Sequence, residues 1–285
     1  GITNSTSFKY EGGKMYYGGP FDRKCAGFNK VKKTDSVGNY TVTYYHQGDT
    51  SDSSHGEFND SYYKINKPYR DETYDINNSL FEKNINKWDE TDLGNGSHFV
   101  QLAQSVNFTY DGNSSHKDKA QSFAYNTTST GNLVQKTDWG EVVGSDDGSF
   151  VDTGSDKYLT NYSYAINTSS YILGFVSDEV TTDQNSNKVK EDRFYYDTSA
   201  LGAVVKGNLT KQESWQIGTS FVNTQKSYDN YGLVTQEIDA NGNATGYSYD
   251  SYNLYPATIT NALSQNINNL FDYSNGKPKQ IIDQN

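Results

Sequence analysis

Residues 227–260 read SYDNYGLVTQEIDANGNATGYSYDSYNLYPATIT, and within them the pair Tyr228-Asp229 returns 21 residues later as Tyr249-Asp250. Two strand-like runs and two turn signals separate the copies. Gly232 follows the first pair and leads into VTQEID. Asn241-Gly242 then supplies a tight turn, the dipeptide favoured where both central residues take positive φ. In ATGYSYD, Thr245, Tyr247 and Tyr249 alternate onto one face of a strand. The next copy drifts: NALSQ stands where DANGN stood, and Phe271-Asp272 replaces Tyr-Asp. Each period of 21 or 22 residues is therefore two short strands and two turns. A lone hairpin is marginal in water, so tandem hairpins must stack to become stable. Tyrosine covers the ladder with its ring, and the aspartate after it starts the turn by accepting nearby backbone N–H groups.

Weaker echoes lie upstream. FTYDGN (Tyr110, Asp111), FAYNTTSTGNLVQKTDWG and FYYDTSALGAVVKGNLTKQESW keep the order aromatic, turn, Gly, strand at irregular spacing. The expected fold is all-β, with tandem β-hairpin repeats forming a long curling sheet. Three stretches are expected: a β-strip over 1–95, degenerate hairpin repeats over 96–225, and YD repeats over 226–285, cut off at the C-terminus. In NYTVTYYHQ, Tyr40, Val42 and Tyr44 share one face of a strand. NSLFEKNINKW permits two readings. Phe81, Ile85 and Trp88 fit a helical stripe, whereas ETYDI and SLFEKNI around an Asn-Asn turn fit a strand pair. The polar run GDTSDSSHGEFNDS (48–61) reads as an exposed loop.

Composition agrees with thin sheet. Only 33% of the 285 residues are hydrophobic, yet 25 are Tyr and 13 are Phe. Disordered chains are poor in aromatics, so the polarity does not mean disorder. A net charge of −11 argues against nucleic acid, which wants clustered Lys and Arg. Cys25 is the single cysteine, which leaves no internal disulfide and no Cys-based zinc site. No apolar run is long enough to span a bilayer as a helix. About a dozen Asn-x-Ser/Thr triplets follow from a chain rich in those residues as readily as from glycosylation. The start lacks Met and a leader, and IIDQN resembles an interrupted IDAN, so the chain reads as an excised segment of a longer protein.

Candidate chemistry is sparse. His46 and His55 with Asp49 and Asp52 offer N and O donors, but their spacing matches no standard zinc signature. His98 and His116 complete the histidines. Asp146, Asp147, Asp152 and Asp156 crowd one loop and suit calcium chemically, without EF-hand spacing or its terminal Glu. Trp88, Trp139 and Trp215 offer faces for sugar stacking or simply pack. No Gly-x-Ser-x-Gly, phosphate loop or dinucleotide motif occurs. The expectation is no catalytic residue, no cofactor and no metal ligand.

The C-terminal units resemble RHS/YD repeats. The series YYGGPFDRKCAGFNKV, TVTYYHQGD and KINKPYRDETYD resembles the strip found in SpvB-like and toxin-complex B-component proteins. Matching motif positions carries over Gly27, Phe28, Val31, Tyr45, His46, Gly48, Pro68, Arg70, Tyr74 and Asp75. Ala26 and Asn29 depart from the pattern, standing where Arg and Gly are expected. With them go Tyr228, Asp229, Gly232, Asn241, Gly242, Tyr249 and Asp250 of the repeats. The resemblance implies a shell of spiralling hairpins that encloses a toxin or other C-terminal cargo. It implies secretion or surface display, and as partners the rest of the parent RHS polypeptide or its companion toxin component, with the cargo inside. No nucleic acid and no membrane-spanning segment belong to this reading. The alternatives are a cell-surface carbohydrate-binding or adhesive β-repeat protein and, third, a glycoside-acting enzyme.

Overall fold

The computed structural model describes residues 5–284. Its strands are β1 (Ser7–Tyr17), β2 (Arg23–Thr34), β3 (Tyr40–Tyr45), β4 (Pro68–Tyr74), β5 (Leu80–Gly94), β6 (Ser97–Thr109), β7 (Lys117–Tyr125), β8 (Leu133–Gly144) and β9 (Phe150–Asp152). They continue as β10 (Tyr158–Asn167), β11 (Ile172–Asp183), β12 (Lys188–Tyr196), β13 (Leu209–Ile217), β14 (Ser220–Tyr228), β15 (Val234–Ile238), β16 (Ala244–Tyr249), β17 (Pro256–Thr260), β18 (Asn266–Asp272) and β19 (Lys277–Ile282). The helical content of the described residues is three single 3-10 turns. The expected all-β class is what the chain adopts: nineteen strands in one antiparallel sheet that does not close. From β1 to β9, and again from β12 to β19, each strand pairs with the next.

One joint recurs. Tyr45, Tyr74, Tyr125, Tyr196, Tyr228 and Tyr249 each end a strand and face the first residue of the next one: Pro68, Leu80, Leu133, Leu209, Val234 and Pro256; Phe271, one residue before the end of β18, faces Pro278, the second residue of β19. In each case the register slips there, so the residue after the facing one is left out of the pairing as a bulge, the second of the following strand for the six tyrosines and Lys279 for Phe271. Such a bulge bends and twists the ribbon locally. After six of the seven aromatics comes Asp or Asn, which opens the turn. The Tyr-Asp dipeptide is thus a bulged joint.

The opposite margin carries a plain turn. Asp239 N–H donates to the Asn243 carbonyl (3.0 Å), and Gly242 N–H donates to the Asp239 carbonyl (3.0 Å). Asp239 Oδ1 accepts the N–H of Asn241 and of Asn243, both at 2.8 Å. Asn261 repeats this arrangement with Leu263 and Gln265. Gly242 has φ of 85°, but Asn241 does not take positive φ. The expected turn with two left-handed residues is therefore corrected to a type I turn closed by a single left-handed residue. The Asp239 carboxylate selects it by holding the two N–H groups.

Tyrosine hydroxyls link successive joints. Tyr228 Oη donates to the carbonyl of Leu209, the residue facing Tyr196, at 2.8 Å. Tyr249 Oη donates to the carbonyl of Val234, the residue facing Tyr228, at 3.1 Å. Phe271 has no hydroxyl for the next step. Asn269 Nδ2 instead reaches the carbonyl of Pro256, the residue facing Tyr249, at 3.1 Å.

Residues 80–94 settle the ambiguous stretch as strand. Ile85 is fully buried, facing Val106, while Trp88 lies three positions on and so on the other face. Phe81 is the bulged residue beside the Tyr74 joint. The helical stripe was three aromatic and aliphatic residues with different strand duties.

Contacts divide the chain into two compact units, Gly1–Thr160 with Thr182–Asn187, and Asn161–Thr181 with Lys188–Asn285. The first holds a core of Ile85, Val106, Phe108, Ala120 and Val142. The second holds Ala165, Tyr196 and Val204. From 205 to 284 no residue is buried. The chain exposes 16897 Å². A compact monomer of its 31.9 kDa mass would expose roughly 12,000 Å². The excess goes with the small number of buried apolar residues in either unit.

Candidate functional site

The motif residues of the N-terminal strip surround one loop. β3 and β4 form a hairpin whose connection, 46–67, is too long to be a turn. Its neck is closed by two backbone hydrogen bonds: His46 N–H to the Lys67 carbonyl, and Asn66 N–H to the His46 carbonyl, both 3.0 Å. The expectation of an exposed loop over 48–61 holds for most of its residues, but not for its middle. Gly56 and Glu57 are buried, as are Lys64 and Ile65 just beyond. Long connections stay ordered only when they pack on something of their own. Here the packing is mostly polar.

Asp60 organises the first half of the loop. Its Oδ2 accepts three successive backbone N–H groups, from Gln47 (2.8 Å), Gly48 (2.7 Å) and Asp49 (3.0 Å). Gly48 has φ of 91°, which turns these amides toward one point. Burial alone would push the Asp60 carboxyl up, but the adjacent His46 imidazole and these amides hold it below the usual carboxylate range. Glu57 Oε2 accepts the N–H of Ser51 (2.5 Å) and of Asp52 (2.6 Å). Burial dominates there and pushes the Glu57 carboxyl up, with the charge of Asp60 adding to the rise. His46 is wholly buried, its ring centroid 5.2 Å from that of Tyr69. His46, Glu57 and Asp60 each bring one donor atom within 4.8 Å of the other two.

The loop's far side rests on an ion network. Arg70 Nε donates to Glu72 Oε1 at 2.7 Å, and its Nη2 lies 2.6 Å from the same oxygen. Arg70 Nη1 donates to the carbonyls of His55 and Asp146, both at 3.2 Å. Lys83 Nζ donates to Asp146 Oδ1 at 2.6 Å. Burial would push the Asp146 carboxyl up, but Lys83 and Arg70 hold it below the usual range. Arg70 therefore fastens the 46–67 loop, its own strand and the β8–β9 turn together.

The remaining motif residues have separate stations. Gly27 has φ of 68°, and its carbonyl accepts Gln47 Nε2 at 3.1 Å. Phe28 is exposed and lies against Tyr10, ring centroids 4.9 Å apart. Val31 pairs with Tyr10 and Thr43 across β1 and β3. The Pro68 carbonyl accepts Trp88 Nε1 at 2.9 Å. Tyr74-Asp75, Tyr228-Asp229 and Tyr249-Asp250 are joints and turns, with Gly232 at φ of 83° closing one of them.

The sets proposed from sequence do not assemble. Asp49 pairs with Lys14, and His55 Nδ1 lies 2.5 Å from Asp52 Oδ1, while His46 faces Asp60. His98 stacks on Tyr63, and His116 pairs with Asp118. Of the loop aspartates, Asp146 is held by Arg70 and Lys83, Asp147 accepts from Ser149, Asp152 from Gly154 N–H and Asp156 from Glu141 N–H. Each indole N–H is bonded within the sheet, and an ammonium lies over each ring: Lys67 over Trp88 and Lys157 over Trp139 at 4.9 Å, Lys188 over Trp215 at 4.6 Å. Each lysine occupies one face of its indole. Glu57 and Asp60 were missed because their loop was read as solvated. The signal available was its length.

No family model matches the chain, and no curated protein does. Solved structures do. A crystal structure of TcdB2-TccC3 matches over 98% of this chain with TM-score 0.62 at 12% identity. A TcdB2-TccC3 crystal structure without its hypervariable C-terminal region matches equally, at TM-score 0.62 and 12% identity over 98% of the chain. A Photorhabdus luminescens Tc holotoxin pore structure follows at TM-score 0.61 and 12% identity, again over 98%. The chain spans about a fifth of those chains, between 21% and 22%. No helix among the described residues is long and apolar enough to cross a membrane. The chain thus has, nearly end to end, the fold of a portion of the toxin-complex TcdB2-TccC3 structures.

Proposed function

We propose that the chain is a wall segment of an RHS-type shell that encloses a toxin or other cargo, outside the cell that makes it. Its work in this reading is containment without catalysis, and its partners are the rest of the shell and the enclosed polypeptide. The observation that carries the reading is the fold likeness to TcdB2-TccC3 over 98% of the chain. The physical character of the sheet supports it. A wall needs area more than depth, and from 205 to 284 the sheet buries no residue and is rich in polar and tyrosine side chains. Repeated joints let it extend by whole hairpins.

The test uses the longer parent polypeptide with whatever follows the repeats. Purified particles are treated with protease, before and after mild disruption of the shell. The expected result is a C-terminal segment that survives in intact particles and is cut after disruption, with hollow particles visible by electron microscopy. A segment cut equally fast in both states overturns the proposal.

A further inference from the structure

The geometry points to a buried transition-metal site, of the zinc class, formed by His46, Glu57 and Asp60. Three observations meet at one place. First, the His46 side chain and the Asp60 side chain are both 0% exposed. Neither ring nitrogen of His46 has a hydrogen-bond partner, and neither does Asp60 Oδ1. Buried polar atoms are nearly always partnered; one ion would take His46 Nδ1 and Asp60 Oδ1, which face each other, and leave Nε2 on the far side of the ring. Second, His46 Nδ1 and Asp60 Oδ1 lie 3.2 Å apart without hydrogen-bond geometry. Two ligands of a tetrahedral ion with bonds of about 2.0 Å sit about 3.3 Å apart, so this His–Asp pair is also spaced to act as two donors on one cation. Third, each carboxylate is already anchored through one oxygen. Asp60 Oδ2 is held by the N–H groups of Gln47, Gly48 and Asp49, and Glu57 Oε2 by those of Ser51 and Asp52. Outer partners of this kind orient ligands toward a metal.

The donor set selects the ion. An imidazole nitrogen with two carboxylates suits zinc and its first-row neighbours, whereas calcium and magnesium take oxygen shells. The buried cation next door does not fill the role: Lys64 Nζ donates to the carbonyls of Asn59 (2.6 Å) and Phe58 (3.3 Å). The bound ion would pin the mid-loop acids to the end of β3. A polar loop with little apolar packing gains its fixed shape that way.

The test uses the whole chain, stripped with chelator and dialysed, then titrated with zinc, with calcium run in parallel. About one equivalent of zinc per chain is expected by elemental analysis, with a rise in melting temperature that calcium does not reproduce. Asp60→Asn keeps oxygen and shape but loses charge, and His46→Gln removes the nitrogen. Each is expected to retain the wild-type circular dichroism spectrum while zinc affinity falls at least tenfold. Should a variant misfold, Glu57→Gln serves as the third arm. Zinc at under a tenth of an equivalent in wild type, equal zinc binding by the variants, or preferential calcium uptake each overturns the site.

Discussion

Asp239 holds two backbone N–H groups of its own turn, and Asp75 and Asp250 do the same in theirs. The Asp75 carboxyl is held below its usual range by Ser79 first, that of Asp239 by Asn243 and that of Asp250 by the N–H of Leu254. A lowered folded value means stability that is complete above the unfolded value of about 3.9 and lost as pH falls through the folded values. Urea midpoints are therefore expected to hold steady from pH 7 to near 4 and to fall below it. The triple Asp→Asn variant at these positions should flatten that fall. Asp197 accepts four N–H groups, from Val205, Lys206, Gly207 and Asn208. Because water reaches this loop, Asp197→Ala should cost only about 1 kcal/mol in urea unfolding. Tyr249→Phe, which deletes one hydroxyl bond between joints, should cost a similar amount, about 1 kcal/mol.

The element with most at stake is β4. Arg70 is 9% exposed at its side chain and serves Glu72, Asp146 and the loop carbonyl of His55 together. Arg70→Ala strands the Glu72 carboxylate in a buried setting and should destabilise by about 3 kcal/mol. Arg70→Lys should recover only part, since an ammonium cannot make the same fork of bonds. Burial, and then the charge of Glu72, push the Tyr44 phenol up to about 12. Alkaline absorbance titration should show a tyrosine class ionising near there, and Glu72→Gln should move part of it toward about 10. At this scale the sequence was partly readable. The alternation in β16 and the aromatic ends of β14 and β16 showed as period-two patterning with Asp and Gly punctuation. What it could not show was the parity of Ile85 and Trp88, because the three apolar residues Phe81, Ile85 and Trp88 fit a helical stripe as well as a strand with mixed faces. Nor could it reveal Glu57 and Asp60. Charged residues announce solvent unless one knows that backbone amides and a buried imidazole await them.

Across the whole molecule, burial is uneven. Ile85, Val106 and Phe108 are sealed in the first unit, while nothing from 205 to 284 is buried. Amides of β15 to β19 are expected to exchange with deuterated solvent well before those of β5 and β6, because local opening is easiest where little apolar surface is hidden. Equal protection of both regions would contradict the burial pattern. The repeat, and with it the fold class, was legible because a period imposes itself on sequence, whereas the loop of 46–67 occurs once and leaves no rhythm to read. The bulged joint asks for an aromatic, usually an Asp or Asn after it, and one residue tolerant of left-handed backbone; the rest of each hairpin answers to alternation alone. Almost every other letter can then change without loss of form. A likeness of fold over 98% of the chain, with 12% of residues shared, is what such permissive grammar allows.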